Sequence, residues 1–215
     1  MHWTDSLVIV FGLVTFGVEW MLLRVHGRNV DFSQTALNLS LGMIERLFAL
    51  LSLSFGLWLT TEMLGLRVLD SIQPGWLNFL AAFIGVDLFW YLYHRISHRV
   101  SIVWVAHLVH HQPEEYNLSV NFANSPLGYF VRVLVYSPLV LFGIEPEYIV
   151  LANIINGFYQ ALLHSELWPA WVGLERFIVT PRYHQIHHSS ARAHLDKNYG
   201  GMLTLWDRMF GSYHD

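Results

Sequence analysis

Nine of the 13 histidines fall into groups whose spacing suits metal ligation. His94 and His98 stand one helical turn apart in H-R-I-S-H. His107, His110 and His111 in H-L-V-H-H repeat the pattern of His184, His187 and His188 in H-Q-I-H-H. A helix advances about 100° per residue, so imidazoles at i, i+3 and i+4 leave one face together. His164 closes a polar series with Asn153, Asn156 and Gln160 on a further segment. A structural zinc takes four ligands and a mononuclear iron facial site takes two histidines and a carboxylate, so nine imidazoles form an inventory for two ions. Neutral imidazole is a good iron ligand, and two ions about 3.5–4 Å apart can share and activate dioxygen. With no cysteine in the chain, thiolate zinc, cysteine-bound iron–sulfur clusters and disulfides are excluded.

The elements that must position these histidines are apolar. Of 215 residues, 54% are hydrophobic and 13% charged, and the mean hydropathy is +0.38. A soluble domain carries about a quarter of its residues as charges, so this is the profile of a membrane protein. Stretches long enough to cross or nearly cross a bilayer cover residues 7–23, 36–66, 76–93, 127–143 and 148–163. The second exceeds one crossing and carries Glu45 and Arg46, which predicts an interfacial lead-in. The last two are joined only by residues 144–147, a tight helical hairpin, and Ser137-Pro138 predicts a kink in the first of them. The stretch 76–93 ends where the first histidines begin, and the hairpin crosses and returns before the last ones. All the histidine groups therefore fall on one membrane face. Arg24, Arg28, Arg95, Arg99 and the cations of the C-terminal segment share that face, which makes it cytoplasmic. The expected fold is all-α: an integral-membrane helical bundle of four to five spans, one domain over residues 1–215, with a cytoplasmic histidine-rich cap.

Asp87 and Tyr91 share the helical arc of His94 and His98, and with Gln160 and Glu166 they are candidates to support the metal ligands or to pair within the bundle. Thr180-Pro181 supplies an N-cap and a first-turn proline before His184. His2, His26 and His214 read as isolated interfacial side chains, and His194 belongs to no repeated pattern. Trp58, Trp76, Trp104, Trp168 and Trp171 read as interfacial anchors. A net charge of −4 leaves no basic face for nucleic acid.

The boxes HRISH, HLVHH and YHQIHH, with Asp87 and Tyr91 before the first and Thr180-Pro181 before the third, resemble those of the fatty acid hydroxylase, or sterol desaturase, superfamily. The resemblance covers roughly residues 76–213, including the closing signature Leu195-Asp196-Lys197-Asn198-Tyr199-Gly200-Gly201 and Trp206-Asp207-Arg208-Met209-Phe210-Gly211. The stretch Gln160 to Glu166 is similar to that of the alkylglycerol monooxygenase branch, whereas other branches carry a second histidine where Gln160 stands. The resemblance implies a diiron oxygenase ligated by His94, His98, His107, His110, His111, His164, His184, His187 and His188. It implies two iron ions, dioxygen as co-substrate, a lipid substrate and an external electron donor, either a cytochrome or ferredoxin chain or a reduced pterin. No flavin, nicotinamide or haem motif stands in the chain.

Hydroxylation and desaturation share this ligand set, and the residues do not separate them. A metal transporter places acidic and histidine ligands midway along its spans, and a membrane cytochrome uses single axial histidines that face one another. The adjacent pairs His110-His111 and His187-His188 suit neither.

Overall fold

A computed structural model describes residues 3–28, 30–51, 53–168 and 173–215, with the side chains of 3–13, 51, 53 and 54 left aside. His2 and Trp171 lie outside the described residues. Nine α-helices run along the described chain: α1 (Trp3–Val25), α2 (Phe32–Leu51), α3 (Leu53–Gly65), α4 (Trp76–Arg99), α5 (Ser101–His111), α6 (Leu127–Tyr136), α7 (Pro146–Leu163), α8 (Pro181–His188) and α9 (Leu205–Phe210). Among these residues the only β pairing is an isolated bridge between Ile178 and Leu203.

The scaffold of the histidines is α4. Its 24 residues lack proline and lie in an apolar run, and by length and composition the helix can cross a membrane. It ends at Val100, whose extended backbone (φ −116°, ψ 111°) both caps α4 and opens α5. The first two boxes thus sit on consecutive helices joined by one residue. On α5, His107 and His110 are buried while Ile102 and Val105 point outward, 82% and 61% exposed.

The predicted second crossing is two helices: residues 32–50 and 55–65 are together apolar enough to span, but bend by 53° at their junction. The predicted fourth is a shorter apolar segment, 127–142. There α6 gives way at Ser137 to a 3-10 turn, Ser137–Phe142, because Pro138 has no N–H for an i−4 bond and its ring crowds the preceding turn. Among the described residues, one long apolar helix and one bent pair are long and apolar enough to cross a membrane.

Ala82, Val86, Leu139, Val140, Ile144, Ile149 and Ala152 form the main buried cluster, joining α4, the 3-10 turn and α7. Small residues bring these segments close: a Cβ on Gly85 would lie 3.0 Å from Leu139 Cδ2. Gly143 closes the 3-10 turn at φ +80°, where an added Cβ would come within 2.2 Å of the Asp70 carbonyl oxygen. Its own carbonyl accepts from Ile72 N at 2.8 Å. The left-handed backbone and the contact act together, so Gly143→Ala is expected to destabilise the fold by about 1–3 kcal/mol. A thermal melt checks this, at about 2–4 °C per kcal/mol for a chain of this size.

Beyond α7 the chain packs against the helices that carry the histidines. Residues 174–212 fold back along α4 and α7: Tyr91, Tyr199 and Trp206 make one buried cluster, and Leu163, Val179 and Tyr183 another.

Candidate metal centre

The nine predicted ligands come together. His94, His98, His107, His111 and His187 form one group and His110, His164, His184 and His188 a second, and within each group one ring nitrogen per residue lies within 4.8 Å of all the others. Adjacent histidines of one box go to different groups. His110 and His111 diverge from the end of α5, and His187 and His188 from the end of α8. The groups touch where the rings of His111 and His188 stack at 4.3 Å.

Box three is shaped as its residues predict. Pro181 opens α8 and the Thr180 hydroxyl accepts from Tyr183 N at 3.2 Å. At the C-cap of α7, the His164 ring is turned inward by its Nδ1–H bond to the Gln160 carbonyl, 2.8 Å. Two further rings are held from a loop: His94 Nδ1 bonds Tyr199 O at 2.9 Å and His187 Nδ1 bonds Lys197 O at 2.8 Å. A carbonyl accepts only from a protonated nitrogen, so these three histidines carry their proton on Nδ1 and present a bare Nε2 lone pair.

Those lone pairs converge. Nε2 of His164 lies 3.2 Å from Nε2 of His110 and 3.1 Å from that of His184, which is 3.2 Å from His188 Nε2. In the other group His111 Nε2 is 3.1 Å from His107 Nε2 and 3.2 Å from His187 Nε2. His94 Nε2 and His98 Nε2 are buried with no hydrogen-bond partner among the described residues. Ligands about 2.1 Å from one ion at 90–109° stand about 3.0–3.4 Å apart, which is the spacing found here. Converging lone pairs repel unless a cation sits between them, so the donor set fits a pair of transition-metal ions with nitrogen ligands. Burial keeps the rings neutral, the form that binds metal, and pushes His110 and His187 down to about 4.

Of the four candidates to support a ligand or to pair within the bundle, Gln160 meets a histidine and Asp87, Tyr91 and Glu166 pair within the fold. Asp87, fully buried, accepts from Met202 N (2.7 Å), Leu203 N (3.2 Å), Trp206 Nε1 (2.9 Å) and Asn156 Nδ2 (3.0 Å), so it pins the C-terminal segment to α4. Tyr91 bonds Ser212 and Arg95. Gln160 acts on His164 through its carbonyl, while its side-chain amide donates to Asn156. Glu166 pairs with Arg28 at 2.9 Å. Trp104, read as an interfacial anchor, instead packs 5.0 Å from His98 and 5.7 Å from His111.

Two contributors escaped the sequence reading. Tyr116 donates to the Leu163 carbonyl and stacks on His164 at 5.6 Å. Asp207 holds the loop that orients His94 and His187, accepting from Tyr199 N (2.9 Å), Gly200 N (2.6 Å) and Ser212 Oγ (2.7 Å). Gly200 admits this approach, since a Cβ there would meet Asp207 at 2.9 Å, and Gly201 lets the loop close on α4, where a Cβ would meet Trp90 at 2.7 Å. The closing signature was the available signal, but its residues are not ligands, and spacing alone gives them no role. Outside both groups, a hollow of about 400 Å3 reaches His98, His111, His187 and His188 between Arg99, Ser101, Trp104, Ser190 and Asp196.

The fatty acid hydroxylase family model matches residues 79–212, well over half of the chain and every one of the nine histidines. The chain belongs to the fatty acid hydroxylase family. It is 36% identical over 208 residues to an alkylglycerol monooxygenase of Danio rerio, covering 94% of this chain and 45% of that protein. It is 40% identical over 133 residues to an alkylglycerol monooxygenase of Homo sapiens, covering 62% of this chain and 30% of the other. An ornithine lipid hydroxylase, OlsE, of Rhizobium tropici is 27% identical over 130 residues, with 58% and 38% covered. The chain therefore spans less than half the length of these fatty acid hydroxylase relatives. No solved structure matches it.

Proposed function

We propose that this chain is a multi-pass membrane lipid hydroxylase whose site binds two iron ions, one on five histidines and one on four. The observation that carries this reading is the convergence of nine imidazoles on two points at ligand spacing. When bound, such an ion pair supplies the oxidising power to insert one atom of dioxygen into an unactivated C–H bond, with two electrons and two protons from outside. The chain's own residues fix the ion positions through the carbonyls of Gln160, Lys197 and Tyr199, and keep bulk water from the buried imidazoles. The histidine face is cytoplasmic on this reading, supported by the arginines gathered beside it. An alkylglycerol is the first lipid to test, from the names of two relatives.

The test is to express the chain with a reductant system and compare lipids by mass. A product one oxygen atom heavier than its parent is expected. A product lighter by two hydrogens reassigns the same site to desaturation. Neither product, in protein purified without bound transition metal, overturns the reading.

A further inference from the structure

Two buried groups of imidazoles need a way in for the ions they hold. Of the nine rings, His98, His111 and His188 are partly exposed and the other six are buried. All three partly exposed rings line the hollow of about 400 Å3, with His187 beside them. The ligand set therefore meets solvent through this hollow.

One opening faces both groups. His98, His111 and His187 belong to the five-histidine group and His188 to the four-histidine group. The rings of His111 and His188 stack at 4.3 Å where the groups meet. An ion that reaches this pair can be handed to either side.

The rest of the wall suits a hydrated cation better than a lipid. Among the side chains that line the hollow only Trp104 and Leu195 are apolar, whereas sites for apolar ligands are lined mainly by apolar and aromatic groups. Arg99 and Ser101 come from the junction of α4 and α5, where the apolar run of α4 has ended. Opposite them stands the Asp196 carboxylate, which pairs with Arg99 Nε at 3.4 Å and accepts from Tyr199 OH at 3.0 Å. The two charged side chains are 44% and 55% exposed for Asp196 and Arg99. A pair so open to water is weak, so Arg99 can release the carboxylate to a competing cation at little cost.

We infer that the hollow is the port through which metal ions enter and leave both histidine groups, with Asp196 as the first ligand on the way. The inference rests on the two-ion reading above and adds the route to it. Arg99 holds the carboxylate between passages. An ion crossing the bundle elsewhere would have to shed its water among apolar side chains, at a far higher cost.

The absence of cysteine makes the test direct. In the metal-free full chain, Ser101→Cys and Ser190→Cys are capped either with a methylthio group or with a bulky biotinyl disulfide. Glu114→Cys, at an exposed position outside the hollow, carries the same caps as a control. Cobalt(II) is the probe, with uptake followed by the visible absorption of imidazole-bound cobalt and release followed in excess chelator. The bulky cap at 101 or 190 is expected to slow uptake and release of both equivalents at least about tenfold against the methylthio cap, with the final count unchanged. The cap at 114 is expected to change neither rate. Asp196→Asn keeps the acceptor for Tyr199 and is expected to slow uptake about tenfold at low salt, as loss of one charge about 6 Å from a divalent ion does. Arg99→Ala is expected to speed it. Equal rates with either cap at both positions overturn the port, and slowing of one equivalent alone overturns the shared route. A lower final count with the bulky cap assigns the hollow to the stability of the site and overturns passage through it. A parent chain that takes up no cobalt overturns the two-ion reading itself.

Discussion

Replacing His110 with alanine is expected to strip the four-histidine group of its metal under a chelator challenge that leaves the parent protein loaded, and to reduce turnover to background. His110 contributes one of four donors, and its Nε2 lies 3.2 Å from that of His164. Three imidazoles remain, a number that binds metal only with water completing the shell. His187→Ala acts on the five-histidine group and leaves four donors there, as many as the intact second group holds. His187→Ala is therefore expected to keep more metal than His110→Ala, although both lose turnover. Metal analysis after dialysis gives the count, from about two equivalents in the parent to about one in His110→Ala. Parent-level metal with parent-level turnover in His110→Ala would remove that residue from the ligand set. Equal metal loss in both variants would contradict the division into five and four.

That division shows what spacing conveys and what it does not. The period of an α-helix places His107, His110 and His111 on one face, and it is right to that extent. Which member serves which ion depends on the angle between α5 and α8, set by packing between residues far apart in sequence. The Thr180-Pro181 cap was legible because capping is local: the hydroxyl and the N–H it serves are three residues apart. Asp87 was not. Its helical phase pointed toward His94, but its four bonds reach Asn156 and the 202–206 segment, over 69 to 119 residues of intervening chain. The apolar helices were legible as apolar stretches, yet the bend between α2 and α3 and the 3-10 turn at Ser137 divide them in ways that hydropathy averages over.

Asp207→Asn is expected to weaken metal binding at the five-histidine group by about 10- to 100-fold, the usual effect of disturbing a group that orients a ligand, while sparing the other. Asp207 touches no imidazole. Its carboxylate gathers Tyr199 N, Gly200 N and Ser212 Oγ, and so fixes a turn in which Asp196 and Asn198 hold left-handed backbones at φ 60° and 59°. That turn aims the Lys197 carbonyl at His187 and the Tyr199 carbonyl at His94. In the four-histidine group His164 is anchored by Gln160, within α7 itself, so this anchor does not depend on the turn. An amide at position 207 keeps the size of the carboxylate but turns a donor toward an N–H, which lengthens the contact with Gly200 or Tyr199 and frees the loop. Chelator competition resolves the two affinities, and a thermal melt runs beside it. Selective loss at one ion with a small change in melting temperature identifies Asp207 as a positioning residue. Parallel weakening of both ions together with the melt would assign it to general stability, because a loosened fold has no reason to choose between two groups whose rings stack against each other at His111 and His188.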